Sequence, residues 1–592
     1  MKKGKRFLAL ALCMAILASA TACSGGETTS SETESSSASS SESSSGSDGN
    51  TVSALPDEGI TYSAPGEWPL SDEIIEISIM ANMDTADRAD NLQTKEMEEM
   101  MGIKINWTLT QSGSIREKMN LMFAGDDYVD IIAPGVGNTD RLDKVTESQL
   151  GAQGLIIPLE DYIDTVSVGF KAAMENPELE GMREYMTTPD GHIYSLPVID
   201  GYLQAQYQNK MWINTTWLDN LGLEMPTTTE EYYQVLKAFK EQDPNGNGLD
   251  DEIPLSSCVS TSGTEFDCFL MSAFILTPSN RQQKMWVDNG TVVFSPMQEE
   301  YREGLRYLNK LYSEGLINPE SFTQDMNTQI NTNENGDVPV IGSFLASRPG
   351  YACDLKTIPN SKKWEQYEML PPLSSETHEA VATWNPYIMF NTGTAAITNA
   401  CEHPQAAFRM LDWLATEEGT VRSSRGIEGV HWTPAVEGEV GMDGTTPAKW
   451  TEIEGAGATT DNSSWGQLTS IVNTPTMVLE ITMNPDPYAE GVPPLTGRQI
   501  VMYKGSKEYE KVRQPMESVL PDLYFSESDA EEIALLKTTI LDYVNESVVR
   551  FITGDLSVDN DWDSYLDELH VLDVDRYLEM MQNAYDQSGF KK

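Results

Sequence analysis

The ten-residue segment 243–252 carries oxygen-bearing side chains at the spacing of a cation-binding loop. Asp243, Asn245 and Asn247 recur at every second position, and a glycine follows them. Hard cations such as Ca²⁺ take about six to eight oxygen ligands, and this alternation is typical of a calcium loop. The predicted ligands are Asp243, Asn245, Asn247, the carbonyl of Leu249, Asp251 and Glu252.

The end of this loop differs from a true EF-hand. Its closing carboxylate, Glu252, comes two positions earlier than the EF-hand glutamate, and an extended segment follows where an EF-hand has a second helix. No nucleophile or base lies nearby, so we expect the cation to have a structural role. A polar Asn/Gly turn that binds no metal is the alternative.

Two loops combine an aromatic ring with polar side chains, as a sugar-binding surface does. Trp384 and Tyr387 lie in a turn-rich segment before a strand, and Arg425, Glu428 and Trp432 lie in a glycine-bracketed loop. An indole face covers the C–H groups of a sugar, while polar groups bind its hydroxyls. These five residues are therefore candidate substrate contacts. The alternative is that both tryptophans are core residues near turns.

A third candidate follows the first predicted strand, residues 73–80. Asn82 and Asp84 lie just beyond it, and α/β sheets bind ligands at the carboxyl ends of their strands. A capping turn formed by the same side chains is the alternative. Signatures of catalysis are weaker: the chain has no HExxH, G-x-S-x-G or Walker motif. We therefore expect no enzyme, although two carboxylates brought together by the fold would suffice for a glycosidase.

The elements around these residues alternate between strand and helix. This pattern predicts an α/β protein with largely parallel sheets. Predicted strands lie at 103–110, 130–134, 211–214, 338–344, 367–370 and 387–390, with helices at 91–101, 114–125, 228–242, 298–314 and 403–416. The last third is predicted to be helical at 507–512, 529–552 and 562–586.

The charge balance excludes a nucleic-acid binder. The chain has 39 Lys+Arg against 92 Asp+Glu, a formal net charge of −53. A protein that binds a phosphate backbone needs a cationic surplus to displace counterions, and a basic patch is also what holds a protein to anionic lipid. The composition instead suits a protein exposed outside the cell.

The N-terminus predicts export and attachment to the membrane by lipid alone. Residues 1–22 combine a cationic start with an apolar run too short to span a bilayer, and Cys23 follows two small residues. This is similar to a bacterial lipoprotein signal, in which Cys23 is lipidated; an ordinary secretory signal is the alternative. Residues 24–50 contain 13 Ser and no Lys or Arg, so residues 23–71 are predicted to form a flexible tether.

Taken in order, these segments resemble the family 1 extracellular solute-binding proteins of ABC importers. They are most similar to the large oligosaccharide-binding lipoproteins of Gram-positive bacteria and to alginate-binding relatives. The segments that match are the one at Cys23, LMFAGDDYVDIIAP at 121–134, GLIIPLEDY at 154–162, DGHIYSLP at 190–197, WINTTWLDNLGLEMP at 212–226, the calcium loop, RGIEGVHW at 425–432 and FITGDLSVDNDWDSYL at 551–566.

The resemblance implies a periplasmic-binding-protein-like fold of type II, with two α/β lobes, a hinge and a ligand cleft between them. Residues 72–203 and 386–424 would form the N-lobe, and 204–385 and 425–592 the C-lobe. Crossovers are expected near 202–207, Tyr387 and Arg425. Alginate-binding relatives hold calcium with the same order of residues, which supports the ligand set given above.

The implied function is capture and delivery. A carbohydrate, expected to be an oligosaccharide, binds in the cleft, the hinge closes, and a membrane permease recognises the closed form. The protein is expected to act as a monomer on the outer face of the cell membrane. A solute-binding protein for another ligand, such as a peptide, is one alternative, and an exported glycan-degrading enzyme is the other.

Overall fold

The computed structural model describes residue 55 and residues 58–83, 87–111, 113–125, 128–136, 141–259, 263–355, 361–453 and 458–591. The predicted signal sequence, Cys23, most of the predicted tether and Asp84 lie outside these residues. Within them, no helix is long and apolar enough to cross a membrane.

The strands and helices follow the alternation that the sequence predicts. In the described residues the strands are β1 (Ile75–Asn82), β2 (Ile103–Thr110), β3 (Ile131–Ala133), β4 (Leu196–Asp200), β5 (Met211–Asn214), β6 (Ile253–Ser256), β7 (Met285–Asp288), β8 (Thr291–Phe294), β9 (Ile341–Leu345), β10 (Tyr367–Met369), β11 (Phe390–Ile397), β12 (Trp432–Pro434), β13 (Trp450–Glu452) and β14 (Val472–Asn473). The α-helices there are α1 (Leu92–Met101), α2 (Ile115–Gly125), α3 (Lys144–Ala152), α4 (Glu160–Thr165), α5 (Gly169–Met174), α6 (Met182–Met186), α7 (Thr215–Leu221), α8 (Thr229–Glu241), α9 (Phe266–Phe269), α10 (Glu299–Ser313), α11 (Met326–Glu334), α12 (Pro404–Ala415), α13 (Glu417–Arg425), α14 (Pro475–Leu479), α15 (Pro494–Glu510), α16 (Glu527–Thr553), α17 (Trp562–Val571) and α18 (Val574–Gln587).

The first sheet has the strand order β14–β4–β11–β3–β1–β2. Strand β1 runs parallel to β2 and β3, whereas β11 is antiparallel to β3 and β4. Ile75, Ile77 and Ile79 alternate along β1 and are buried, as expected for a strand with one face in the core. Helix α1 joins β1 to β2: the Asn91 side chain caps its start, and Gly102, with φ of 70°, ends it.

The second sheet has the order β10–β5–β9–β6. Its centre is aromatic, because Trp212 on β5 and Phe344 on β9 are buried and their rings stack at 6.3 Å. Helix α8 leads to β6 and starts with a capping box formed by Thr228 and Glu231. The predicted helix at 228–242 is therefore confirmed, and the cation-type loop lies at its end.

Three connections join the two sheets. Residues 201–210 link β4 to β5, residues 370–389 link β10 to β11, and residues 474–493 link β14 to α15, which packs beside β10. The first and third connections touch, since the amide of Gly201 donates to the carbonyl of Asn473 at 2.8 Å. A Cβ on Gly201 would lie 2.3 Å from the nitrogen of Pro475.

The connections at 201–210 and 370–389 contain the positions expected for crossovers near 202–207 and Tyr387, whereas the connection at 474–493 lies well beyond Arg425. Arg425 ends α13, which packs against β14 of the first sheet, so the chain has not yet left the first lobe there. Strand β14 pairs with β4 and thus belongs to the first sheet, not to the lobe to which 425–592 was assigned. The local pattern missed this because β14 is only two residues long.

The predicted tether is too long at its C-terminal end. Arg409 on α12 is buried, and its guanidinium donates to the carbonyls of Ser63, Ala64 and Glu67 at 2.8–3.0 Å. The amide of Gln405 also donates to the Glu58 carboxylate at 2.9 Å. Residues 58–71 are therefore packed on the first lobe rather than part of a tether, because a buried arginine holds their carbonyls.

Three other predicted boundaries change. Residues 386–389 form a 3-10 turn, and the strand predicted at 387–390 begins at Phe390. The short helix at 507–512 is the end of α15. The predicted helix at 562–586 is broken into α17 and α18 where Asp573 adopts φ of 67°, without a glycine or proline to signal it.

Candidate functional site

The loop between α8 and β6 is closed by its own oxygen-bearing side chains. The Asp243 carboxylate accepts from the amide of Gly248 at 3.0 Å. The Asn245 side-chain oxygen accepts from the amide of Asn247 at 2.9 Å, and that of Asn247 accepts from the amide of Leu249 at 2.7 Å. Each of these three side chains thus folds back on the backbone of its own loop.

Within the part of the chain that the structure describes, no cationic side chain pairs with the carboxylates of this loop. Asp251 accepts there from the side-chain amides of Asn245 and Asn247, at 3.1–3.2 Å, and Glu252 Oε1 is buried with no hydrogen bond. Burial, and then the nearby Asp251 and Asp243, raise the pKa of Glu252. In the described residues, no three His, Cys, Asp or Glu side chains form a finished metal site. The donor set nevertheless fits a hard cation, because carboxylates, side-chain amide oxygens and a backbone carbonyl are the ligands that Ca²⁺ takes.

A cavity of about 580 Å³ lies where the connections between the sheets converge. We call it the interlobe cavity. Its lining comes from the end of β4, the first crossover, the segment after β9, the start of β11 and one face of α15. Both lobes therefore contribute to it, and a hinge motion about the crossovers would open or close it.

The lining of the interlobe cavity is rich in side-chain amides. Gln204 Nε2 donates to Gln499 Oε1 at 2.7 Å, while Gln204 Oε1 is buried without a partner. Gln208, Asn391 and Gln467 also line the space. Amides both donate and accept, which suits the hydroxyls of a polar ligand. The sequence analysis missed these residues, although the run of glutamines at 204, 206 and 208 was a usable signal.

Of the predicted substrate residues, Trp384 and Tyr387 are packed into protein. Trp384 Nε1 donates to Gln206 Oε1 at 2.9 Å, and the Arg513 guanidinium lies 4.4 Å from the centre of its ring. The Tyr387 ring stacks on Tyr185 at 5.5 Å. Both residues are buried and lie on the second crossover, beside the interlobe cavity rather than in its lining.

The other predicted loop lies on the first lobe. Trp432 and the exposed Glu428 line a separate cavity of about 810 Å³, together with Trp413 and Trp450. Arg425 lies 4.8 Å from the centre of the Trp450 ring, and its Nη2 donates to the carbonyl of Met477 at 3.1 Å. Burial lowers the pKa of Arg425.

Asn82 lies apart from both groups. Its Nδ2 donates to the carbonyl of Pro134 at 3.1 Å, and its Oδ1 accepts from Arg88 Nη2 at 3.2 Å. The predicted substrate residues are thus distributed over several places, and their role in binding stays a prediction. Asp84 lies outside the described residues.

Comparisons with known proteins agree with this two-sheet geometry. The profile of the bacterial extracellular solute-binding proteins matches residues 85–421. The fructooligosaccharide ABC transporter substrate-binding protein FusA of Streptococcus pneumoniae serotype 4 is 28% identical over 559 residues, which cover 91% of this chain and 94% of FusA.

Solved structures show the same fold. A solute-binding protein from Bifidobacterium longum infantis, described as HMO-binding and ABC-transporter-associated, has a TM-score of 0.71 at 22% identity, over 88% of this chain and all of that one. A FusA EF-hand mutant from S. pneumoniae in complex with fructo-nystose has a TM-score of 0.63 at 24% identity, over 87% of this chain and all of that one. The expected fold, type II with two α/β lobes around a cleft, is confirmed. The chain belongs to the bacterial extracellular solute-binding protein family.

Proposed function

We propose that this protein captures an oligosaccharide in the interlobe cavity and delivers it to an ABC import permease. The observation that carries the proposal is the position of this amide-lined cavity, at the meeting point of both sheets and their crossovers. FusA, a fructooligosaccharide ABC transporter substrate-binding protein, and the HMO-binding, ABC-transporter-associated protein support the same ligand class.

Such a site binds a ligand, and the two lobes close around it. Side-chain amides from the first crossover and from α15 bind hydroxyls on the ligand, so the ligand links both lobes and favours the closed form. No bond in the sugar is broken in this scheme. We propose that the closed monomer docks on the permease, and that lipid on Cys23 keeps it at the outer face of the membrane.

Residues predicted from sequence take supporting positions in this proposal. We propose that Trp384 and Tyr387 stiffen the second crossover. Arg425 lies near enough to Tyr202, a cavity residue, to lower its pKa, but burial outweighs this effect and raises that pKa to about 12. We propose Trp432 and Glu428, which line the separate cavity on the first lobe, as a second contact surface for the sugar.

The first prediction concerns the ligand class. The protein is unfolded by heat in the presence of each member of a panel of oligosaccharides and peptides. At least one oligosaccharide should raise the melting temperature, because a ligand that binds only the folded form stabilises it. Changing Gln204 to alanine should weaken that ligand about 3- to 10-fold by calorimetry, the effect of one neutral hydrogen bond.

Gln234 provides the control for this variant. It lies on α8 and bonds only to the exposed Glu230, so Gln234→Ala should bind as the parent protein does. A shift with peptides alone would contradict the ligand class, and release of new reducing ends during incubation would show an enzyme instead.

We also propose that the loop at 243–252 binds Ca²⁺ as a structural ion. The residues to hold it are Asp243, Asn245, Asn247, the carbonyl of Leu249, Asp251 and Glu252. A cation there would neutralise three carboxylates that lie close together and fix the end of α8 against the start of β6. The EF-hand named in the FusA structure supports a site of this kind.

The second prediction tests this ion. Chelation should lower the melting temperature of the parent protein, and added Ca²⁺ should restore it, because the ion binds the folded loop and not the unfolded chain. The Asp243→Ala variant should start from a lower melting temperature and should not respond to chelator or to Ca²⁺. If the parent and the variant respond equally, the loop does not bind the ion.

A further inference from the structure

The interlobe cavity is basic although the chain is strongly acidic. Acidic residues outnumber Lys+Arg by 92 to 39 in the chain. The cavity lining reverses this ratio, because it contains one carboxylate, Asp200, and four cationic side chains, which are Lys210, Arg281, Arg348 and Arg498. Burial raises the pKa of Asp200, and this single carboxylate is outnumbered four to one by basic side chains in the lining.

Three of the four cations have no acidic partner in the described part of the chain. Arg281, Arg348 and Arg498 take part in none of the salt bridges that the other arginines form there. Lys210 differs, because it donates to the carbonyls of Gln204 and Tyr207, and burial lowers its pKa to about 7. The lysine holds the crossover together, whereas the three guanidinium groups remain unneutralised.

Like charges also lie close to one another around this cavity. Burial, and then the nearby Arg348, lower the pKa of Arg498, and Arg498 Nε is buried with no hydrogen-bond partner. Burial, and then Arg281, lower the pKa of Arg141, whose Nη1 donates to Asn391 at the cavity edge. Cations gathered in this way, with a buried donor left over, are arranged for an anion.

We propose that the interlobe cavity binds an oligosaccharide that carries acidic groups, with Arg281, Arg348 and Arg498 as the partners of those groups. The inference rests on the proposed function and names its ligand class. The three arginines come from the second lobe and from α15, so an acidic sugar chain would neutralise charges on separate elements and draw them together.

The chemistry of the lining distinguishes this ligand from a small inorganic anion. A guanidinium group binds carboxylate or sulfate through two parallel hydrogen bonds. The amides of Gln204, Gln467 and Gln499 lie in the same cavity and suit the hydroxyls of a sugar. A small inorganic anion has no such hydroxyls for these amides to bind. The volume of about 580 Å³ is within the range of sites that hold a ligand of several rings.

Calorimetry with three trisaccharides of equal length tests the proposal on the full-length protein. The probes are a galacturonate trisaccharide, a sulfated galactose trisaccharide and a neutral fructose trisaccharide. We expect an acidic probe to bind at least 10-fold more tightly than the neutral one, and its affinity to fall as salt is raised. Arg498→Gln and, separately, Arg348→Gln should weaken the acidic probe about 10- to 100-fold, the effect of a charged hydrogen-bond pair.

Arg550→Gln is the matched control, because it removes a guanidinium at the exposed end of α16, beside Glu546, and should change no affinity. The two acidic probes distinguish carboxylate from sulfate as the bound group. Equal or tighter binding of the neutral probe, or full affinity in both cavity variants, would overturn this inference and leave the proposed function intact. Binding of peptides but of no sugar would overturn both.

Discussion

Replacing Lys284 with methionine should lower the free energy of unfolding by about 3–5 kcal/mol, because it strands a buried carboxylate. Lys284 Nζ lies 2.5 Å from Asp267 Oδ2, and both side chains are almost fully buried. Tyr301 donates its hydroxyl to the same carboxylate. Burial alone would lower the pKa of Lys284, but Asp267, together with Cys268 and Glu265, outweighs burial and raises that pKa.

Chemical denaturation measures this loss of stability, and two further variants identify its cause. Lys284→Met combined with Asp267→Asn removes both charges and should recover about 1–3 kcal/mol of the loss. Lys95→Met removes a partner from an exposed pair with Asp90 and should leave the denaturation midpoint unchanged. A loss in the double variant as large as in Lys284→Met would point to packing rather than to the stranded charge.

Replacing Gly393 with alanine should cost about 2–4 kcal/mol of stability and should also weaken ligand binding. This glycine has φ of 74°, and a Cβ built on it would lie 1.9 Å from the carbonyl oxygen of Leu142. Its amide donates to Ser195 Oγ at 2.9 Å, and its carbonyl accepts from the amide of Leu142. The residue interrupts the pairing of β11 with β4, two positions after Asn391 of the interlobe cavity.

Gly154→Ala separates the two causes of the stability loss expected in Gly393→Ala, which are the left-handed backbone and the clash with Leu142. Gly154 has φ of 68°, but a Cβ at this position would have nothing within 4 Å of it. The alanine variant should therefore lower the free energy of unfolding by only about 1–2 kcal/mol, the cost of the left-handed backbone. Denaturation measures the stability of both variants, and calorimetry with the bound sugar measures the loss of affinity expected in Gly393→Ala alone. Equal losses at both positions would exclude the contact with Leu142 as a cause.

Local patterns in the sequence predict much of the fold. The alternating isoleucines of β1, the asparagine cap of α1 and the capping box of α8 each act within a few residues, so a window of the sequence contains them. The loop at 243–252 is local in the same way, since its side chains bond to neighbours at most six positions away. These elements were predicted because their causes are adjacent in the chain.

The cavity depends on long-range packing and therefore escapes such a window. Arg281, Arg348 and Arg498 are far apart in sequence and line the same cavity only in the folded protein. Trp384 is an aromatic residue in a polar loop, which is typical of a sugar contact. In the fold, however, Gln206 and Arg513 cover its ring. Sequence identifies an aromatic ring in a polar loop, whereas only the packed structure shows which of its faces is covered.

The strand order of the first sheet has a consequence for the newly made chain. Strand β11 separates β3 from β4 in the sheet, yet it is made after every strand of the second sheet. Until residues 390–397 emerge, β1, β2 and β3 have no link to β4, and β14 adds the last edge later still. The sheet that is begun first is thus completed last, so a polypeptide interrupted before residue 390 has its early strands exposed and lacks the strand that joins them to β4.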